Sequence, residues 1–262
     1  QGYAVGVVAA GIVKSRAEKT GSTTAQIGEA DTAVAAAATG VTAAGGALEI
    51  QALRSDKVSA QATAGSGGVA AGSGSEATAG ATGTASAGIA DRVTVMAPGS
   101  AVSVTARSTP QVSAVARGYN GSIAVSIGVS LAQATAATQS FAMLGRHNGI
   151  TAGSLSLNAA TLLPGLANTA YSYANATGGS LLVGANGSNS VAGSNARVNA
   201  LIGGDNTFEI GGATSVTASN QTRQTAETSG VTVGGLLAIG ANLASSSADS
   251  VTLASIDNNN TG

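Results

Sequence analysis

Short runs in which aliphatic residues alternate with small or polar ones recur along the chain. They open at residues 48–52, 102–106, 155–159 and 214–218. A period of two indicates β-strands, because successive side chains of a strand point to opposite faces. This spacing has a use only if one face is buried. The pattern therefore predicts an all-β chain.

A second apolar block follows each opening run, and residues 122–132 and 231–240 are two of its copies. The four blocks reach glycines that are each 56 residues apart: Gly72, Gly128, Gly184 and Gly240. A last aliphatic position then closes each unit: Ile27, Ile89, Leu144, Ile202 and Ile256. A fixed long period predicts a stacked array. The four glycines are interpreted as turn or repeat markers at one recurring site of that array.

The repeats divide the chain into one array without separate globular domains. The leading unit is looser than the others, so an insertion or a register change is expected near residues 11–46. Because the sequence opens inside an apolar block and stops where the next unit should begin, the chain is expected to be a fragment of a longer polypeptide. The predicted units are a partial unit at 1–46 and four units at 47–99, 100–153, 154–212 and 213–262.

The predicted architecture is a β-solenoid, or parallel β-helix, of units about 54–56 residues long. At about 3.3 Å per residue, one unit is judged too long for a single rung, so two or three rungs per unit are expected. Turn-like segments such as Gly118-Tyr119-Asn120-Gly121 favour an alternative, in which lateral antiparallel hairpins lie against the solenoid.

Composition favours a regular core of small side chains. Aromatic residues make up 2% of the chain and charged residues 9%, while glycine occurs 38 times. The net charge of −1 and the lack of a basic stripe argue against nucleic acid as a partner. The apolar stretches are too short or too interrupted by glycine for a membrane helix, so no membrane insertion is expected in this segment.

The Val-x-Val-x-Ala strand, the Gly-Gly-Leu-Leu-Ala-Ile-Gly-Ala block at 234–241 and the Ala-x-Ala runs resemble a known family. They are similar to repeats of filamentous-haemagglutinin-like large exoproteins and giant leukotoxin-like bacterial adhesins. The resemblance covers the whole chain in texture, without a diagnostic motif. It implies export to the extracellular space or the bacterial cell surface, a β-solenoid shaft, and a role in adhesion or extracellular structure.

No catalytic, cofactor-binding or metal-binding residue is predicted from the sequence, and no cofactor is expected. His147 is the one histidine and lies between arginine and asparagine, as expected for an exposed loop. Asp205 and Glu209 would lie about 13 Å apart on one strand face, beyond the usual separation in glycosidases of about 5–9.5 Å. An enzyme is therefore not expected, and a carbohydrate-active β-helix enzyme is the remote alternative.

Three tyrosines near the predicted turns are candidates for surface contacts: Tyr119, Tyr171 and Tyr173. Packing over a turn is the competing interpretation for all three. The predicted function is a structural shaft or fibre segment in adhesion or filament assembly. A glycan-binding or ice-binding adhesin module is the alternative. The expected partners are other copies or neighbouring repeats of the same chain, and a surface glycan or protein of a host or bacterium.

Overall fold

The computed structural model describes residues 1–28 and 39–262, and β-strands dominate them. The described residues contain no helix, and so no helix that is long and apolar enough to cross a membrane. The strands are β1 (Gly2–Ile27), β2 (Thr39–Thr42), β3 (Leu48–Ile89), β4 (Val93–Leu144), β5 (Gly149–Thr161), β6 (Ala170–Ser180), β7 (Val183–Ser194), β8 (Arg197–Ile202), β9 (Thr207–Ile210), β10 (Thr214–Asn220), β11 (Gln224–Ser229), β12 (Thr232–Gly234), β13 (Leu237–Ala248) and β14 (Val251–Ile256).

The strand pairing shows that each predicted unit forms one turn of the chain. Leu48 pairs with Val102, which pairs with Leu155, which pairs with Thr214. Each partner therefore lies one whole unit further along the chain. The expectation of two or three rungs per unit is wrong. We call each turn of the chain a coil, and five coils stack in the described residues, at about 4.8 Å per coil.

The pairings between strands of the described residues are all parallel, which contradicts the antiparallel hairpin alternative. The chain does reverse direction inside each coil. The two segments on either side of the reversal contact each other through side chains and do not pair as an antiparallel hairpin. In the third coil, a Cβ on Gly128 would meet the Asn120 side chain, and a Cβ on Gly118 would meet the Ser130 hydroxyl. These contacts converge on residues 123–124, so the reversal lies there and not at the predicted turn at 118–121.

Each coil is thus a flattened loop of two long walls. In the second coil the first wall runs from Leu48 to Gly68 and the return wall from Ala70 to Ile89, with a register shift between Gly68 and Ala70. About 20 residues per wall span about 65 Å. The short run that begins at Val93 closes the base of the loop, opposite the narrow edge where the walls meet.

The core tapers from the base to the edge. Near the base, large aliphatic residues fill it, and further along the walls alanines replace them. Close to the edge the buried positions are serine, glycine and asparagine. Because the walls converge, side-chain volume must fall in the same direction if the interior is to stay close-packed.

The closing aliphatic residues stack as predicted. Ile27 pairs with Ile89, Ile89 with Leu144, Leu144 with Ile202, and Ile202 with Ile256. Stacking like on like gives each buried member neighbours of matching shape above and below. This position forms one continuous column of the core.

The 56-residue glycines do not form a column, so their interpretation as one recurring site is wrong. Gly72 pairs with Ile127, and Gly128 pairs with Asn186. Gly184 pairs with Ser126 and Ala238, and Gly240 pairs with Asn186. The coils differ in length, so a constant sequence spacing drifts out of register.

Two insertions account for most of the unequal lengths, and register shifts of one or two residues at Gly68/Ala70 and Ala97/Ala101 add to them. Eight residues separate Thr161 from Ala170, but three separate their partners Ser108 and Val112. In the leading unit, Ile27 pairs with Ile89, which is 62 residues further along the chain, whereas Thr39 pairs with Val93, which is only 54 residues further along. The insertion expected near residues 11–46 is confirmed between these two residues, and 29–38 lie outside the described residues.

Candidate interaction surface

The carboxylates considered as catalytic candidates form hydrogen bonds with neighbouring side chains. Asp205 accepts hydrogen bonds from Arg146 at 2.9 Å and Asn259 at 3.2 Å. These bonds, Asn259 first, hold the pKa of the Asp205 carboxyl below its usual range. Glu209 accepts instead from the Thr151 hydroxyl. Among the residues that the structure describes, no three His, Cys, Asp or Glu side chains form a metal-binding group.

His147 lies at a corner that occurs four times in the described residues. Arg92, His147, Asp205 and Asn259 occupy equivalent positions, and all have positive φ, between 57° and 64°. The short strand at the base begins one residue after Arg92 and two residues after His147 and Asp205. The left-handed backbone makes this corner a turn of fixed geometry, which asparagine and aspartate tolerate better than most residues other than glycine.

A ladder of asparagines secures that corner. The Asn148 amide N–H donates to Asn206 Oδ1 at 2.8 Å, and the Asn206 amide donates to Asn260 Oδ1 at 3.0 Å. Asn206 is fully buried, and its Nδ2 donates to the Gly203 carbonyl. Each side chain thus satisfies a backbone group that the turn leaves without a strand partner.

Two of the three candidate tyrosines bind neighbouring coils. The Tyr171 hydroxyl donates to Glu227 Oε2 at 3.1 Å, and partial burial followed by the Glu227 charge raises the pKa of Tyr171. The Tyr173 hydroxyl lies 2.8 Å from Ser229 Oγ, and the Arg117 guanidinium lies 5.5 Å from its ring centroid. Both side chains link one coil to the next on the outer face of the first wall.

Tyr119 is placed differently, beside an apolar groove of about 580 Å³ on the outer face of the first wall. Gly67, Gly121 and Gly179 stack to form the floor of the groove. Space above Gly121 is open, since a Cβ there would meet no atom within 4 Å. Tyr3 covers Gly65 at one end of the groove, and Val233 lies at the other.

The return wall next to the edge is reversed in polarity. One face of the strand at 122–132 is buried, as the alternation requires, but it is the face of Ser126, Gly128 and Ser130. Ile127 is 54% exposed and Val129 45% exposed. Between converging walls there is room only for the small residues, so the aliphatic side chains point to solvent.

This exposed surface was not predicted from the sequence. Its signal was present, because serine, alanine and glycine alternate strictly with isoleucine and valine from Ser122 to Ser130. Alternation alone does not say which of the two sets faces inward. That choice depends on the distance to the opposite wall.

Aliphatic side chains also line the edge itself. Val69, Ile123, Leu181 and Leu236 are exposed where the walls of successive coils meet. The Leu181 amide donates to the Ile123 carbonyl, and the Leu236 amide to the Leu182 carbonyl. Backbone groups at the edge are therefore paired between coils, and the surface offered there is made of apolar side chains.

Comparison of the chain with protein-family models, with curated proteins and with solved structures finds no match.

Proposed function

We propose that this chain is a structural segment of a large exported or cell-surface bacterial protein, acting in adhesion or in the assembly of an extracellular filament or matrix. The resemblance to filamentous-haemagglutinin-like repeats supports export and adhesion. The role is mechanical and not enzymatic in this proposal. Its expected partners are further coils of the same kind and surface molecules of a host or bacterium.

One observation carries the proposal: each coil is hydrogen-bonded to the next along both walls. The pairing of β3 with β4 alone extends from Leu48 to Ile89 with one register shift. A stack joined in this way can be lengthened by adding coils, because each new coil meets the same kind of surface as the last. Such a body resists local opening along its whole width.

The width of the coil shapes the mechanical role. One unit of about 54 residues adds only about 4.8 Å to the height of the stack, a half to a third of the rise that two or three rungs would give. A fold of this kind makes a broad ribbon with faces about 65 Å wide. Wide faces suit adhesion and lateral assembly better than reach alone.

Electron microscopy and X-ray fibre diffraction of the intact native protein test the proposal. The expected particle is a rod or ribbon about 65 Å wide, with a meridional reflection at about 4.8 Å from stacked coils. Compact particles that lack this axial repeat would contradict a structural segment of stacked coils.

A second candidate, a glycan-binding adhesin, is favoured by the groove beside Tyr119. The Tyr119 side chain is exposed at a groove whose floor is glycine, and a sugar ring can stack on such an aromatic face. Binding of the chain to immobilised glycans, compared with Tyr119→Ala, tests this candidate. Tyr173→Ala is the matched control, because Tyr173 lies on the same wall but outside the groove. Loss of binding in both variants would count against a site at the groove.

A further inference from the structure

The exposed aliphatic side chains near the edge belong to one continuous surface. In the third coil its outward positions are Tyr119, Gly121, Ile123, Val125, Ile127 and Val129, and equivalent positions stack above and below them. We call these six columns, which wrap around the edge over five coils, the apolar edge. In the other coils its members are glycine, alanine, valine, isoleucine and leucine, with Tyr3 and Thr177.

The size of the apolar edge is that of an interface. Six columns about 6.6 Å apart and five coils about 4.8 Å apart cover on the order of 1,000 Å². The largest apolar patch of a typical monomer is about 300–600 Å². A standard interface takes about 800 Å² from each partner. Three columns lie on each wall, so one side of the apolar edge offers about half of this area in five coils, and the area grows with every coil in the stack.

Charge frames the apolar edge and is missing from it. Across the six columns, no described residue carries a charge. Arg117 lies in the next column on the first wall. On the return wall the next column holds the ion pair of Lys14 with Glu76, at 2.8 Å, in the first two coils, and Leu131, Asn189 and Leu243 in the other three. An apolar centre with a charged rim is the usual anatomy of a protein interface.

The shape of the apolar edge is complementary to the same surface on a second copy. The floor of Gly67, Gly121 and Gly179 is a groove, and the neighbouring column of Val69, Ile123 and Leu181 is a ridge. In a two-fold pair each surface meets its own copy. The ridge of one molecule would then enter the groove of the other, on both sides of the axis.

We propose that the apolar edge is the surface through which two copies of this chain pair side by side, edge against edge. The inference rests on the proposed function, because it supplies the lateral contact by which stacked coils assemble into a filament or matrix. A second copy offers the same area, the same lack of charge and a ridge for the groove. Each added coil extends the contact, so the pairing strengthens with the length of the stack.

The test measures the association of the chain by sedimentation velocity across a range of concentrations. Ile123→Lys places a charge on the ridge and is expected to raise the dimer dissociation constant at least tenfold. Leu53→Lys is the matched control, because Leu53 is 57% exposed against 59% for Ile123 and lies outside the apolar edge. Its dissociation constant should stay within about twofold of the unaltered chain.

Gly121→Val provides a second variant that tests the groove without adding charge. The open space above Gly121 predicts an unchanged fold, checked by circular dichroism and thermal unfolding, together with weaker dimerisation. A chain that stays monomeric at all concentrations would overturn the pairing. A dimer that Ile123→Lys and Leu53→Lys weaken equally would overturn its place at the edge.

Lipid is the competing occupant of an apolar surface, and the same variants distinguish it. A monomeric chain that co-sediments with neutral phosphatidylcholine vesicles, and loses this binding in Ile123→Lys, would replace pairing with membrane contact. Electron microscopy distinguishes failure of the pairing from failure of the proposed structural function. Single ribbons without lateral pairs would contradict the pairing and leave the structural role, whereas compact particles would contradict the structural role itself.

Discussion

Ser108 and Ser140 lie on opposite walls of the same coil, and their hydroxyl oxygens are 2.9 Å apart although 32 residues separate them in sequence. Both side chains are fully buried. Ser108 also lies 3.1 Å from the Thr161 hydroxyl of the next coil, and Ser140 donates to the Ala160 carbonyl at 2.9 Å. The contact crosses the thin interior directly, so the width of one side-chain pair sets the distance between the walls there.

Ser140→Leu should therefore be strongly destabilising. Leucine has two more side-chain heavy atoms than serine, and both would have to enter a fully buried position between the walls. Overpacking of this kind costs about 1–3 kcal/mol or more. Ser140→Ala should cost only about 1 kcal/mol, from the lost hydrogen bonds. Denaturant unfolding measures both changes.

Gln139→Leu is the control for Ser140→Leu, since Gln139 neighbours Ser140 and points to the outer face. Its free energy of unfolding should change by less than about 0.5 kcal/mol. Equal destabilisation by both leucines would show that the inner face at this position is not close-packed.

Asn206→Ala should destabilise the corner ladder by about 1–3 kcal/mol. The substitution leaves the buried Asn148 N–H without its acceptor and the Gly203 carbonyl without a donor. Asn206→Asp should be no better, because a carboxylate keeps the acceptor but faces the Gly203 carbonyl. Asn195→Ala, at an exposed position of the same coil, should be neutral in the same unfolding experiment.

Asp56→Ala should destabilise the second coil strongly, because it leaves a buried charge without its partner. Arg54 Nε lies 2.5 Å from Asp56 Oδ2, and both side chains are more than nine-tenths buried, while Lys19 reaches Asp56 Oδ1 at 2.8 Å. Removing the carboxylate leaves the buried guanidinium unpaired, at a cost of about 3–5 kcal/mol.

The double variant Arg54→Ser with Asp56→Ser separates pairing from mere packing. It removes both buried charges, and serine already occupies the position of Arg54 in the next coil, at Ser108. Its free energy of unfolding should lie closer to that of the unaltered chain than that of Asp56→Ala. A double variant that is less stable than the single one would contradict this account of the ion pair.

Asp205 should make the stability of the corner depend on pH in the acid range. Hydrogen bonds from Asn259 and Arg146 lower the pKa of Asp205 in the folded state. Its stabilising contribution is therefore present above the pKa of the unfolded chain, about 3.9, and is lost as the pH falls through the lower folded value.

Asp205→Asn keeps the shape and the tolerance of positive φ but removes the titrating group. The difference in unfolding midpoint between this variant and the unaltered chain should be constant near neutral pH and shrink below about pH 4. A difference that stays constant down to pH 2 would show that the charge of Asp205 does not stabilise the corner.

Much of the fold could be predicted from local pattern. The period of two identified strands, and the closing aliphatic residues from Ile27 to Ile256 proved to stack in one column. The loose leading unit correctly indicated an insertion. These features are properties of short segments, in which alternation and spacing suffice.

The candidate surface was predicted only in part. Tyr119, Tyr171 and Tyr173 were grouped because all three precede turn-like residues, yet only Tyr119 lies at the groove. Tyr171 and Tyr173 bind Glu227 and Ser229. These partners are 56 residues away, and no local pattern identifies them. A surface-contact role for the three tyrosines stays a prediction.

The amino-acid sequence by itself determined that the chain alternates, repeats and forms strands, because those properties follow from neighbouring side chains. The tertiary structure decided that one unit makes one coil, that residues 118–121 continue a strand, and that Ser126 and Ser130 are buried while Ile127 and Val129 are exposed. The physical reason is the approach of the two walls. Their separation depends on side chains tens of residues apart, and it selects the small face of each strand for the interior and leaves the aliphatic face outside.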